Sequence, residues 1–169
     1  TDTITWTSRT AGFGSSSIKE VISDGTTIVA VSDGGAIRSS TNGIQWTIRT
    51  CPTTNSLGNA INTAPAAIYA NNLYLVGGAS NTYVISTDSV SWTLRTTGFA
   101  ASIWSIAYGS NLTEQYLISS NTLLASSTDN IRWTLRTSGF ALNSIQYFNG
   151  KYYGFSNSGS IRTSTNGIE

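Results

Sequence analysis

Few side chains in this sequence have types suited to chemistry, and their spacing limits what that chemistry is. Histidine is absent and Cys51 is the single cysteine, so the chain offers no imidazole base, no cysteine-based metal cluster and no internal disulfide. Without a histidine to activate it, the Cys51 thiol predicts no nucleophilic catalysis. Glu20 and Asp33 are the two carboxylates placed to meet on one side of the protein, and glycoside hydrolysis needs two carboxylates roughly 5–10 Å apart. We interpret them as a solvated pair, and we expect no enzymatic activity, no cofactor and no metal.

The composition narrows the function classes further. Charged residues make up 10 % of the 169 residues and the net charge is +1, which argues against nucleic acid as a partner. No apolar run approaches the roughly 20 residues of a membrane span, so we expect no membrane insertion. Hydrophobic residues make up 39 % of the chain, enough to bury a core.

A ten-residue segment recurs through the chain and organises it. It begins at Thr1, Thr41, Thr87 and Thr128, and a shortened copy begins at Thr165. Its tryptophans are about 40 residues apart, a period typical of propeller blades. Between the copies lie short runs of β-branched and aromatic residues separated by Gly, Asn and Ser, with no helical periodicity.

These signals predict an all-β fold, a β-propeller of four-stranded antiparallel blades with four repeats in this chain. The expected blades are residues 11–50, 51–96, 97–137 and 138–169, the last completed by residues 1–10 as its fourth strand. Such a strand from the start of the chain closes a four-blade ring. Alternatively the four units belong to a larger ring, completed by further repeats or by a second chain.

The recurring unit resembles the Asp-box, or bacterial neuraminidase repeat, in a shortened variant similar to phage-encoded and bacterial surface propellers. Ser40-Thr41-Asn42-Gly43, Ser86-Thr87-Asp88, Ser127-Thr128-Asp129 and Ser164-Thr165-Asn166-Gly167 carry the resemblance. It implies that the Asp or Asn side chain holds a tight turn between the third and fourth strands of each blade. It also implies that the Trp opens the outermost strand and packs between neighbouring blades.

We interpret the repeated residues as structural. A residue that recurs at one place in every blade points in a different direction in each, so the set does not converge on one ligand. These residues are Trp6, Trp46, Trp92, Trp133, Asp2, Asn42, Asp88, Asp129, Asn166, Arg9, Arg49, Arg95 and Arg136.

Ligand-binding candidates are sought where the repeat is broken. The link Thr50–Ala66 is longer than its counterparts, and in related propellers such links lie on the face where ligands bind. Trp104 is the one tryptophan outside the repeat, either a stacking surface for a sugar ring or a core residue filling a gap. The candidate ligand-binding residues are Trp104, Asn55, Asn59, Asn62 and Asp33.

The leading functional hypothesis is a non-enzymatic propeller that binds or displays, with carbohydrate or a surface protein as its partner. The charge-poor surface favours an extracellular or virion-surface location, with the periplasm as an alternative. A second hypothesis is a protein–protein scaffold resembling the propellers of photosystem assembly. A third is a sialidase-like glycoside hydrolase, for which the sequence lacks a convergent set of non-repeating arginines.

Overall fold

The computed structural model describes residues 5–33, 35–52, 66–110, 115–120, 123–137, 139 and 141–168. Its regular elements are fifteen strands in four antiparallel sheets, here named blades 1 to 4, and no helix occurs among these residues. The predicted all-β fold of four consecutive blades is confirmed.

Each blade is a meander in which every strand pairs with the next along the chain. Blade 1 contains β1 (Ile18–Ser23), β2 (Ile28–Ser32), β3 (Ile37–Ser40) and β4 (Thr47–Arg49). Blade 2 contains β5 (Ala67–Ala70), β6 (Leu73–Gly77), β7 (Thr82–Ser86) and β8 (Thr93–Thr96). Blade 3 contains β9 (Ser105–Gly109), β10 (Gln115–Ser119), β11 (Leu124–Ser127) and β12 (Thr134–Leu135). Blade 4 contains β13 (Ser144–Phe148), β14 (Lys151–Phe155) and β15 (Ile161–Ser164).

The core lies between neighbouring blades, because each sheet presents apolar side chains on both of its faces. One cluster joins Val31 and Ile37 of blade 1 to Val84 and Trp92 of blade 2. The same arrangement recurs between blades 2 and 3 and, with fewer buried residues and no tryptophan among those described, between blades 3 and 4. Burial in layers of this kind is the main source of stability in a repeat protein.

Blade 4 departs from the prediction, because residues 5–10 do not supply its fourth strand within this chain. Residues 5–10 belong to no strand, the sheet of blade 4 has three strands, and the Trp6 side chain is 93 % exposed. The inner strands of successive blades pack together from blade 1 to blade 4, but no comparable packing joins β13 to β1 in the described part of the chain. The segment that leads into β1 is therefore not held beside β15.

Candidate functional site

A central cavity of about 410 Å³ lies where the innermost strands of the four blades face one another. β1, β5, β9 and β13 each contribute lining residues, as expected when the first strand of every blade faces the axis of a propeller. Its volume falls within the roughly 300–1,000 Å³ typical of ligand pockets. The polar and aromatic lining side chains are Glu20, Trp104, Ser105, Tyr108, Gln146 and Tyr147.

Trp104 lies at the rim of this cavity, on the face that carries the links between blades. The residue is 40 % exposed, and its backbone N–H donates to the Ser119 carbonyl oxygen at 2.8 Å, which holds the backbone against the end of β10. Of the two interpretations left open by the sequence, a buried gap-filling tryptophan does not describe this position. A partly exposed indole beside a cavity offers a stacking surface.

The two candidate carboxylates do not share the cavity. Among the described lining residues Glu20 is the only charged side chain. Asp33 lies in the turn after β2, where Oδ2 is 3.5 Å from Lys19 Nζ and Oδ1 accepts the Ser17 N–H at 3.1 Å. Asp33 thus ties the entry of blade 1 to its β2–β3 turn, and the arrangement does not present two carboxylates to one substrate.

The turns that follow the third strand of each blade, here called the Asx turns, begin at Ser40, Ser86, Ser127 and Ser164. In the third Asx turn, Asp129 Oδ1 accepts the backbone N–H groups of Arg132 and Ile131, both at 2.8 Å, and the Ser127 hydroxyl at 3.0 Å. Asn42 makes the same two backbone contacts at 2.9 Å in the first turn. Their side chains are thus occupied within their own turns.

These backbone contacts also lower the pKa of the Asp carboxyl groups in the turns. The Ser91 and Val90 N–H groups donate to Asp88 and lower the pKa of its carboxyl to about 2. The Arg132 and Ile131 N–H groups lower the pKa of Asp129 for the same reason, since hydrogen bonds to a carboxylate favour its charged form. Both turns therefore carry a negative charge at neutral pH.

The repeated tryptophans and arginines differ in burial and in their contacts. Trp92 and Trp133 are buried between blades, whereas Trp46 is half-buried. Arg49 Nε donates to Ser39 Oγ at 2.7 Å and Arg136 Nε to Ser126 Oγ at 2.8 Å. Neither arginine lines the cavity.

Arg95 lacks this contact for a reason visible in the sequence. Ile85 occupies the position in β7 that Ser39 and Ser126 occupy in β3 and β11, so blade 2 offers no hydroxyl there. The buried Nε of Arg95 has no hydrogen-bond partner among the described residues. Arg9 precedes blade 1 and is exposed.

Several predicted site residues lie outside the described residues: Asn55, Asn59 and Asn62 of the long link, and Asp2. Cys51, at the start of that link, is half-buried against the cluster between blades 1 and 2, and burial raises the pKa of its thiol to about 11. No group of three His, Cys, Asp or Glu residues suited to a metal occurs in the described ranges. Nor do those ranges contain a helix long and apolar enough to cross a membrane.

Sequence reasoning missed three lining side chains, Tyr108, Gln146 and Tyr147. The available signal was their place in the first strand of a repeat, because these strands converge on the axis. Tyr108 and Tyr147 also pack on Tyr116 and Tyr152, with ring centroids 4.6 and 4.9 Å apart, so the cavity wall is continuous with the core.

Comparison with known proteins supports the fold and leaves the family open. No family model and no curated protein matches the chain. The computationally designed protein Ika4 is similar over 92 % of this chain and 94 % of its own, with 9 % identity and a TM-score of 0.66. YCF48 bound to D1 peptide is similar over 88 % of this chain and 49 % of its own, with 14 % identity and a TM-score of 0.63. A chain of the nidogen/laminin complex is similar over 83 % and 56 %, with 9 % identity and a TM-score of 0.62.

This chain therefore spans about half the length of two of these three structures. The solved structures that it resembles are β-propellers.

Proposed function

We propose that this chain is a non-enzymatic binding propeller that takes an exposed segment of another protein at the rim of its central cavity. The observation that carries the proposal is the partly exposed side chain of Trp104 beside a cavity that all four blades line. Tryptophan is enriched among residues that dominate binding energy at protein interfaces. Glu20 and Gln146 lie within the same cavity and supply hydrogen-bonding groups that orient a bound backbone.

The solved structures that resemble this chain support a protein partner. Two of the similar structures are complexes by name, YCF48 with a D1 peptide and nidogen with laminin. Recognition by protein contact is also the scaffold hypothesis drawn from the sequence. At these levels of identity the likeness concerns the fold, so the partner rests on the cavity and its rim.

Carbohydrate is the second candidate, and the exposed face of Trp104 favours it specifically. Sugar rings stack on flat indole faces, and the hydroxyl and amide groups of Ser105 and Gln146 are suited to sugar hydroxyls. Ser105 is already engaged, however, because its hydroxyl donates to the Ile145 carbonyl at 3.2 Å and accepts the Ile145 N–H at 3.0 Å.

The absence of catalysis belongs to the proposal as well. Glu20 stands without a second carboxylate on the described cavity wall, and glycoside hydrolysis uses a pair.

We further propose display on the outside of a cell or virion and an Asp-box type of repeat. The charge-poor surface supports the first, and the Asx turns, which bond their own backbone in every blade, support the second.

The test uses the purified chain on a peptide array and a glycan array. We expect peptide ligands whose affinity falls at least tenfold, roughly 1.4 kcal/mol, in Trp104→Ala and partly recovers in Trp104→Phe. Ile131→Ala is the matched control, since Ile131 is exposed in an Asx turn on the opposite face of the blades. Equal affinity of Trp104→Ala and the parent chain would contradict the proposed site.

The same preparations discriminate the other hypotheses. Glycan binding that depends on Trp104 would assign the site to carbohydrate. Turnover of fluorogenic glycosides that disappears in Glu20→Gln would overturn the non-enzymatic proposal.

A further inference from the structure

A second, smaller cavity of about 210 Å³ forms a groove between blades 3 and 4, away from the axis. Leu117 and Leu124 of blade 3 form one wall, Tyr152 and Arg162 of blade 4 form the other, and Leu142 lies between them. The groove is mostly apolar and opens beside β15. We call it the β15 groove.

The repeat shows what occupies this place at the other junctions. Trp92 lies between blades 1 and 2 in contact with the cluster that contains Ile37, and Trp133 lies between blades 2 and 3 against Tyr83. Leu124 stands three residues before the Ser of its Asx turn, as Ile37 and Tyr83 do. The β15 groove is therefore the counterpart of two sites that are filled by a repeat tryptophan.

Among the described residues, the edge of β15 next to this groove also lacks the fourth strand that the other blades have. β3, β7 and β11 each pair with a fourth strand, whereas β15 pairs only with β14 in the described part of the chain. An unpaired edge strand presents a row of backbone N–H and C=O groups that favours pairing with another segment.

Residues 5–10 have the sequence that this edge requires. Thr5-Trp6-Thr7-Ser8-Arg9-Thr10 reproduces the pattern of Ser91-Trp92-Thr93-Leu94-Arg95-Thr96, and Trp6 is almost fully exposed. In the register of the other blades Thr7 stands opposite Thr163, as Thr47 stands opposite Ser39. Arg9 then meets the Thr163 hydroxyl in the way Arg49 meets Ser39 and Arg136 meets Ser126.

A second copy would cover the edge of β15 together with the two end faces of the blade series, which this chain leaves exposed in its described residues. Ile161 on β15 is 65 % exposed, whereas its counterparts Ile37 and Tyr83 are fully buried by the following blade. At the other end, Trp46 is half-buried, whereas Trp92 and Trp133 are covered by the preceding blade. The face of blade 4 and the face of blade 1 both expose apolar side chains, and within one chain the described residues do not pack them together.

We propose that two copies of this chain associate head to tail into one ring, in which residues 5–10 of each copy form the fourth strand of the partner's blade 4. Trp6 fills the β15 groove and Trp46 packs against Ile161 across each junction. Only seven residues separate the segment 5–10 from β1, so a single docking brings both the strand and the face of blade 1 onto the partner.

The first experiment measures the mass of the purified chain in solution by light scattering and native mass spectrometry. We expect two copies for the parent chain and a shift to one copy, at least tenfold weaker association, in Trp6→Ala. Ile131→Ala, which also removes an exposed apolar side chain, should remain in the two-copy form. A monomeric parent chain, or an unchanged assembly in Trp6→Ala, would overturn the proposal.

The second experiment tests which chain supplies the strand. In a Cys51→Ser background, a copy with Thr7→Cys is mixed with a copy with Thr163→Cys under oxidising conditions. We expect a disulfide between the two copies, and none when Thr41→Cys, in an Asx turn, replaces Thr7→Cys. A chain carrying both Thr7→Cys and Thr163→Cys that closes only within itself would assign the strand to the same chain and overturn the two-copy ring.

Discussion

The indole N–H of Trp133 donates to the Tyr83 hydroxyl oxygen at 3.0 Å, and that hydroxyl donates in turn to the Asn130 carbonyl at 2.6 Å. The two rings meet edge to face with centroids 5.8 Å apart. Tyr83 belongs to blade 2. Asn130 lies in the Asx turn of blade 3, and Trp133 directly precedes its fourth strand, β12. One phenol thus joins neighbouring blades and holds an Asx turn at the same time.

Tyr83→Phe should destabilise the fold by about 1–3 kcal/mol, because it leaves the Trp133 N–H and the Asn130 carbonyl without their partner in a buried site. Urea unfolding followed by fluorescence measures the change in the free energy of unfolding. Tyr69→Phe is the control, since its long hydrogen bond to Asn72, at 3.4 Å, is exposed. Equal stability of the two variants would show that the buried contact contributes nothing.

The Asx turns predict an acid-sensitive component of stability. The folded-state pKa of Asp88 lies below its usual value of 3.8. The ionised Asp88 therefore contributes fully to stability at pH values above 3.8, and this contribution is lost as the pH falls towards about 2. In Asp88→Asn with Asp129→Asn, the amide accepts the same backbone N–H groups, as Asn42 does, and does not titrate. We expect the melting temperature of the parent chain to fall more steeply over this range than that of the double variant.

The reverse exchange provides the matched control for this effect. Asn42→Asp should add acid sensitivity over the same range while leaving the stability at neutral pH nearly unchanged. Parallel pH profiles for all three chains would contradict a role for these carboxylates.

The contact between Arg136 and Ser126 should contribute to the stability of blade 3. Ser126→Ala should lower the free energy of unfolding by about 1 kcal/mol, because it removes a charge-assisted hydrogen bond that is partly buried. Thr128→Ala, at an exposed position two residues later, should have no measurable effect. A loss for Thr128→Ala as large as that for Ser126→Ala would mean that the hydroxyl of Ser126 is not the cause.

The buried thiol of Cys51 should react slowly in the folded protein. With its pKa raised to about 11, the nucleophilic thiolate is scarce at neutral pH. We expect alkylation by iodoacetamide to be slow in buffer, fast in concentrated urea, and faster in buffer as the pH rises towards that value. A folded-state rate equal to the rate in urea would place the thiol in solvent.

The sequence by itself determined the features that depend on local interactions. The Asx turns form between residues two and three positions apart, Asn42 with Ile44 and Gln45 for example, so the motif alone predicts them. The period of the tryptophans and the alternation of short apolar runs with turn residues likewise determined four blades of antiparallel strands. The turn and strand signals each lie within one repeat, and the recurrence of the repeat along the chain makes its period visible in the sequence.

Tertiary structure decided the positions that depend on where separate blades meet. Trp104 and Glu20 are 84 positions apart in the chain, yet both line one cavity because β1 and β9 converge on the axis. Asp33, only thirteen residues from Glu20, is held outside it by Lys19 and Ser17. Trp6 stands in a copy of the repeat whose tryptophan is buried in blades 2 and 3, yet Trp6 is exposed, because the motif specifies the residue and not the blade face that covers it.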